Sequence, residues 1–377
     1  AHTILTTDWQ DIVNDDDIAI VIEVMGGIEP ARTYLTEALK AGKNIVSANK
    51  DLIAVHGREL EALAAEMKKD FRYEASALGA IPIVQPLKEN LAANHFGEIV
   101  GIMNGTTNYI LSNMCDKGLS FEEALAEATE LGYAEADPTA DIEGLDAGRK
   151  VAILANIAFH TPVVFDDVHV EGITKISKLD MAFAESIGCV IKLLGIVTKL
   201  EDGLVLSVHP AIIAKSHPLA SVSGSFNAVF VTGDAVDEAM FYGRGAGKLP
   251  TASAVVGDVI DVCRDINYGC EGRIGDYTYE NIPIKPMSET KSRFYVRLMI
   301  EDKPGVLAEI GACFGKHDVS IAQVQQKGAG DHEKAEFIVI THEVQEAKFD
   351  LAIEEAKNTP CVHQIENVIR IYGGLPQ

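Results

Sequence analysis

None of the six cysteines, Cys115, Cys189, Cys263, Cys270, Cys313 and Cys361, forms a Cys-x-x-Cys pair. This spacing argues against the common zinc and thiol-redox motifs. Thiols scattered along a long chain fit a reducing, cytoplasmic setting. No stretch is long and apolar enough to cross a bilayer as a helix. The start, Ala1-His2-Thr3-Ile4, carries no basic, apolar signal pattern. It also lacks an initiator Met, so the expectation is a fragment or a processed product. Basic residues are scarce: 32 Lys and Arg stand against 56 Asp and Glu, a formal net charge of -24. Such an excess repels nucleic acid and anionic membrane, so neither is expected as a partner. The acidity is spread along the chain, as on a solvated surface.

What is present suggests two or three domains. The chain has 377 residues, 47% of them apolar and 23% charged, enough to fill sizeable cores. The first part alternates strand and helix signals. Ile18 to Val24 reads as a buried parallel strand ended by Gly26-Gly27, and Pro30 to Ala41 as a helix. A strand at 44–47, a helix at 51–69 and a strand at 71–75 continue the series. Repeated βα units of this kind imply an α/β fold with a parallel sheet, here the later half of a Rossmann-type domain. No G-x-G-x-x-G precedes Ile18, so the phosphate loop that opens a dinucleotide-binding fold is missing.

A different texture begins near Glu98. Strand signals at 98–103, 187–200, 204–210 and 228–234 mix with helical ones at 107–117, 120–131, 145–159 and 251–264, as in an α+β domain. Pro283 to Ser292 is polar and proline-bearing and reads as a linker. Strand, helix, strand, strand, helix, strand follow at 294–300, 306–317, 319–325, 335–341, 345–358 and 362–371. That order is ferredoxin-like.

Chemistry concentrates in three places. Lys50 follows the strand ending in Ser47, at the carboxyl edge where open α/β sheets bind ligands. The Gly243-Arg244-Gly245-Ala246-Gly247 loop permits close approach of another group. The densest cluster runs from Gly132 to Lys150, an acidic loop feeding a helix. Asp146 and Lys150 are four apart and share a helix face. They form either an exposed ion pair of about 0.3–0.5 kcal/mol or a lysine held by a carboxylate and aimed into a cleft, able to move a proton at a substrate oxygen.

These segments are recognisable. Gly101 to Leu111, Leu131 to Lys150, Ala48-Asn49-Lys50, and Gly243 to Gly247 leading into Pro250-Thr251-Ala252 closely resemble homoserine dehydrogenase. Asp302-Lys303-Pro304-Gly305-Val306-Leu307 resembles an ACT domain, an amino-acid-sensing module. The resemblance implies a partial NAD(P)-binding Rossmann-type domain at 1–96, with a helix at 248–268 packing back on it. It implies a substrate-binding and dimerisation domain at 97–282, a linker at 283–293 and an ACT domain at 294–377. The implied reaction is the interconversion of L-homoserine and L-aspartate 4-semialdehyde with NADP or NAD, in threonine, methionine and isoleucine biosynthesis.

The resemblance also assigns roles. Lys150 matches the proton-transferring lysine, Asp146 its acidic neighbour, and Lys50 a lysine near the reaction centre that also meets the cofactor. Glu135, Asp141 and Tyr133 fall in the substrate pocket, and Gly26, Ala48 and Gly245 where the dinucleotide lies. The Tyr73-Glu74-Ala75 segment places Glu74, Ala77, Gly79 and Ile81 as ligands of Na+ or K+, largely through carbonyls, although Leu78 and Ala80 stand where the family usually has glycine. Gly305, Val306 and Leu307 mark the effector site, with L-threonine as the implied effector. A homodimer or homotetramer is implied. Two rival readings remain. One is a truncated, cofactor-deficient amino-acid-binding or assembly protein of the same family; the other is a dehydrogenase of a different semialdehyde or hydroxy-amino acid.

Overall fold

The computed structural model describes residues 3–274, 278–328 and 334–376. The first unit holds α1 (Trp9–Val13), β1 (Ile20–Glu23), α2 (Ala31–Lys40), β2 (Asn44–Ser47), α3 (Lys50–Met67), β3 (Phe71–Arg72) and α4 (Ala75–Leu78). Its strands pair in parallel in the order β1-β2-β3. Ile45 and Val46 of β2 are fully buried, as a central parallel strand requires. β1 departs from the expected buried strand. Ile22 is 48% exposed and Val24 67%, because β1 lies at the edge of the described sheet.

The second unit comprises β4 (Phe96–Ile102), α5 (Gly105–Lys117), α6 (Phe121–Glu130), α7 (Thr139–Ile142), α8 (Leu145–Phe159), β5 (His169–Val170), α9 (Lys178–Ser186), β6 (Cys189–Leu200), β7 (Gly203–Ala214), β8 (Phe226–Gly233), β9 (Asp237–Arg244) and α10 (Lys248–Tyr268). α10 returns to the first unit. Arg72 on β3 pairs with Asp261 at 3.0 Å and Asp265 at 3.1 Å on that helix. The third unit is β10 (Lys291–Glu301), α11 (Val306–Lys316), β11 (Ile321–Gly328), β12 (Lys334–Thr341), β13 (Val344–Gln345), α12 (Glu346–Lys357) and β14 (Val362–Tyr372).

The third unit's main strands run in the order β11-β12-β10-β14, all antiparallel, as a ferredoxin-like sheet does. The sheet does not stop there. β14 pairs in parallel with β7 through Arg370↔Ala211, Ile371↔Ile212 and Tyr372↔Ile213, making one eleven-stranded sheet with the second unit. Tyr295, Ile338, Ile340, Ile369 and Ile371 of the third unit join the second unit's core. The segment expected to be a linker is also tied down. Leu204 donates to the Pro283 carbonyl at 2.8 Å, and Lys285 donates back to the Leu204 carbonyl at 2.7 Å.

Two buried polar clusters cross this seam. Asp180, fully buried, accepts hydrogen bonds from Tyr295 Oη, Arg297 Nε and Asn367 Nδ2 at 2.8–2.9 Å. Arg370 on β14 holds Glu346 through Nε and Nη2 at 2.6 and 2.8 Å and Glu171 at 2.8 Å. Glu171 leads into Gly172, which packs so closely on the acidic loop that an added Cβ would lie 2.4 Å from the Ile142 carbonyl. Ile173 then donates to that carbonyl at 2.8 Å. The third unit thus reaches the acidic loop at two removes.

Candidate active site

Three helix starts meet in one open chamber of about 710 Å³. Asn49 caps α3 by accepting from the Leu52 N–H at 3.1 Å, which leaves Lys50 in the first turn. Asn104 caps α5 by accepting from the Thr107 N–H at 2.8 Å. Gly144, at φ 81°, starts α8 and is packed against Val170, Glu171 and Val208. A residue with a side chain would meet both that strained backbone and those neighbours.

Asp146 is the hub. It is 3% exposed, and its Oδ2 accepts from Lys150 Nζ at 2.7 Å and Asn104 Nδ2 at 2.9 Å. Its Oδ1 accepts from Lys50 Nζ. Burial pushes this carboxyl up, but the charges of Lys150 and Lys50 override it and hold the group well below the ordinary carboxylate range. Burial likewise pulls the Lys50 ammonium down, and Asp146 more than restores it, so Lys50 rises above its usual value. Asn104 also donates to Asp141 at 2.7 Å, joining the acidic loop to the hub. The Asp146–Lys150 pair is therefore not a surface pair: both residues are buried. Lys150 is further fixed by donating to the Met103 carbonyl at 2.7 Å. An ammonium has three N–H donors, and Lys150 spends two of them.

The other expected residues divide. Lys50, Tyr133, Glu135, Asp141, Asp146 and Lys150 all line the chamber. Glu135 is exposed at its rim. Tyr133 is steadied by its carbonyl, which accepts from Thr106 Oγ1 at 2.8 Å, and by the Tyr109 ring at 4.6 Å. Gly26, Ala48 and Gly245 line the same chamber. The Gly26 turn is built by buried Glu23, which accepts from the Met25 and Gly26 N–H groups at 2.7 and 3.2 Å and from Ser47 Oγ at 2.7 Å. The chamber's size, its glycine borders and its polar floor fit a dinucleotide's reactive end.

Of the expected cation ligands, Ala77 and Gly79 line this chamber and Ile81 is fully buried. The Glu74 carboxylate is already engaged, accepting from the Ile83, Val84 and Gln85 N–H groups at 2.6–2.8 Å. Among the described residues no cluster of three His, Cys, Asp or Glu side chains could hold a metal. Any cation there would rest on carbonyls. At the proposed effector site, Gly305 starts α11 at φ 97° and Leu307 is exposed, whereas the Val306 side chain is buried in the third unit's core. Val306 can therefore offer a ligand only its backbone.

Two site residues escaped the sequence reading. Asn104 lies within the Gly101 to Leu111 segment, but the helix was expected from 107, and the structure starts it two residues earlier, at Gly105, which makes Asn104 the cap. Asn227 on β8 had no signal. It is 1% exposed, lines the chamber, and among the described residues neither its Oδ1 nor its Nδ2 has a hydrogen-bond partner.

The comparisons agree with this geometry. Residues 82–260 match the family model for homoserine dehydrogenase, residues 1–74 that for the homoserine dehydrogenase NAD-binding domain, and residues 294–361 that for the ACT domain. A homoserine dehydrogenase of Synechocystis is 46% identical over 98% of this chain and 87% of its own length. The crystal structure of a homoserine dehydrogenase from Thiobacillus denitrificans is 42% identical, with a TM-score of 0.92 over 97% of this chain and 85% of that one. A hyperthermophilic archaeal homoserine dehydrogenase mutant in complex with NADPH is 29% identical, with a TM-score of 0.61 over 70% of this chain and 76% of that one. On the family-model matches and the long, high-identity alignments, the chain belongs to the homoserine dehydrogenase family.

Proposed function

We propose that this chain interconverts L-homoserine and L-aspartate 4-semialdehyde with NADP or NAD, and that Lys150 moves the proton. The observation that carries this reading is the hub of buried Asp146 and Lys150 with half-exposed Lys50, with one Lys150 donor left for a ligand. When bound, the nicotinamide supplies or accepts the hydride. In the reductive direction the Lys150 ammonium donates to the oxygen of the aldehyde as that oxygen gains negative charge. In the oxidative direction the amine takes the hydroxyl proton from the same oxygen. Asp146 fixes both lysines, so neither must reorganise as charge develops. Asp141 and exposed Glu135 receive the substrate ammonium. Gly26, Ala48 and Gly245 border the cofactor. Backbone carbonyls of Glu74, Ala77, Gly79 and Ile81 would hold Na+ or K+, a hard cation suited to oxygen ligands.

Gly305, Val306 and Leu307 would take L-threonine as effector, and the assembly would be a homodimer or homotetramer. A substrate panel tests the proposal. NAD(P)-linked oxidation of L-homoserine, well above that of serine, threonine or other hydroxy-amino acids, is expected. Cofactor and homoserine binding without turnover would overturn it and favour a binding or assembly role.

A further inference from the structure

Asn227 presents a contradiction in free energy. A buried amide with both ends unpaired is destabilising, whereas an apolar residue of similar shape at the same place would not be. Val229 and Val231, on the same face of β8, pack into the main core. An apolar residue at 227 would extend that face. The surroundings also leave room for this amide. A Cβ on Gly105, at the start of α5, would lie 3.2 Å from Asn227 Oδ1. A Cβ on Gly245 would lie 2.4–2.6 Å from all three amide heavy atoms. Two glycines from two different segments thus flank one amide. Gly245 in turn meets the first unit, since a Cβ on Gly79 would lie 2.5 Å from the Gly245 carbonyl. The neighbouring Arg244 carbonyl accepts from the Ala80 N–H at 3.1 Å.

We infer that Asn227 is a cofactor-recognition residue, whose amide pairs with the carboxamide of the nicotinamide once the Gly245–Gly247 turn after β9 shifts from over it. An unmet donor beside an unmet acceptor matches a primary carboxamide, which offers one of each. A carboxylate would use only the donor and an ammonium only the acceptor. Gly245 covers the amide in this conformation, so the loop joining β9 to α10 has to move for the pairing to form. This inference rests on the dehydrogenase reading but concerns a separate observable, selectivity for the ligand's carboxamide.

The test uses the full chain in calorimetric titrations with NADPH and with its 3-acetylpyridine analogue. The analogue keeps the carbonyl acceptor and replaces the amino group with a methyl. The parent should prefer NADPH by about 10- to 100-fold. Asn227→Leu should reduce that preference to near unity. Asn227→Asp keeps the acceptor but loses the donor, so it should weaken both ligands and retain the preference. Thermal melts establish that each variant is folded. Should Asn227→Leu fail to fold, the Asn227→Asp pattern decides alone. A parent that binds neither ligand or does not distinguish them, or a folded Asn227→Leu chain with undiminished preference, would overturn the inference. Homoserine oxidation by the parent is scored separately, so loss of the substrate assignment would leave the carboxamide result standing.

Discussion

Asp146 in the cleft and Asp180 in the seam are both buried aspartates held by cations, yet they are built for different ends. Asp180 accepts from Arg297, Tyr295, Asn367 and Ser177, and the groups around it face one another. Asp146 accepts from two lysines that both border an open chamber, and the Lys50 side chain is 40% exposed. The seam closes its hydrogen bonding within the protein, whereas the cleft leaves donors facing a space a ligand can enter. A buried ion pair by itself is weak evidence of function; unspent donors beside a cavity are stronger evidence.

Breaking each hub should separate activity from stability. The largest effect is expected at Asp146→Asn, which removes the charge that aligns both lysines. Homoserine turnover should fall by about 10²–10⁴-fold, with a loss of stability smaller than at the seam, because Asn keeps the shape of Asp146 and both lysines border the open chamber. Asp180→Ala should do the reverse: urea unfolding should show a loss of about 3–5 kcal/mol, because the ion pairs left to buried Arg297 are the looser ones with Glu336 at 3.6 Å and Glu366 at 3.9 Å and buried Tyr295 loses its acceptor, while turnover per folded molecule persists. If the two variants lost activity and stability in the same proportion, the distinction between the hubs would fail.

Smaller changes sharpen the comparison. Glu135→Gln at the chamber rim should raise KM for homoserine roughly tenfold, the size of one charged hydrogen bond, with kcat less affected. Initial rates over a homoserine series would show it. The smallest effect concerns the second seam cluster. Burial pushes Glu171 up, but His169 and Arg370 outweigh burial and bring it to about 2. A depressed carboxylate contributes stability that is fully present above its unfolded pKa and lost as pH falls towards the folded value. Thermal melts of Glu171→Gln should therefore converge on the parent's between pH about 4.5 and about 2 and lie a few degrees lower above that window. Parallel curves across the range would contradict that role.

Much of this arrangement could be read from residue spacing. Leu145–Phe159 is helical as the apolar period and preceding glycine indicated, and Asp146 meets Lys150 as residues four apart must. The ferredoxin-like order followed from six short segments with clear periods. Contacts between distant segments could not be read this way. Lys50 reaches Asp146 across 96 positions, and no local pattern records that. β9 went unread because its apolar run is only four residues, Ala239 to Tyr242, with Met240 and Tyr242 exposed, between Asp237-Glu238 and the glycine-rich turn. α9 is short, yet its Ser177–Asp180 capping box was a usable signal. The β14–β7 join depends on edge pairing between units, which sequence does not specify locally. Asn227 is more demanding still, since an unpaired amide exists only in the folded chain.

The central claim is that Lys150 carries the proton, and single-turnover reduction of L-aspartate 4-semialdehyde by prebound NADPH tests it most directly. Lys150→Met should slow that step by about 10²-fold or more while the Kd for NADPH stays within about twofold of the parent's. A near-parental rate in the variant would contradict the account.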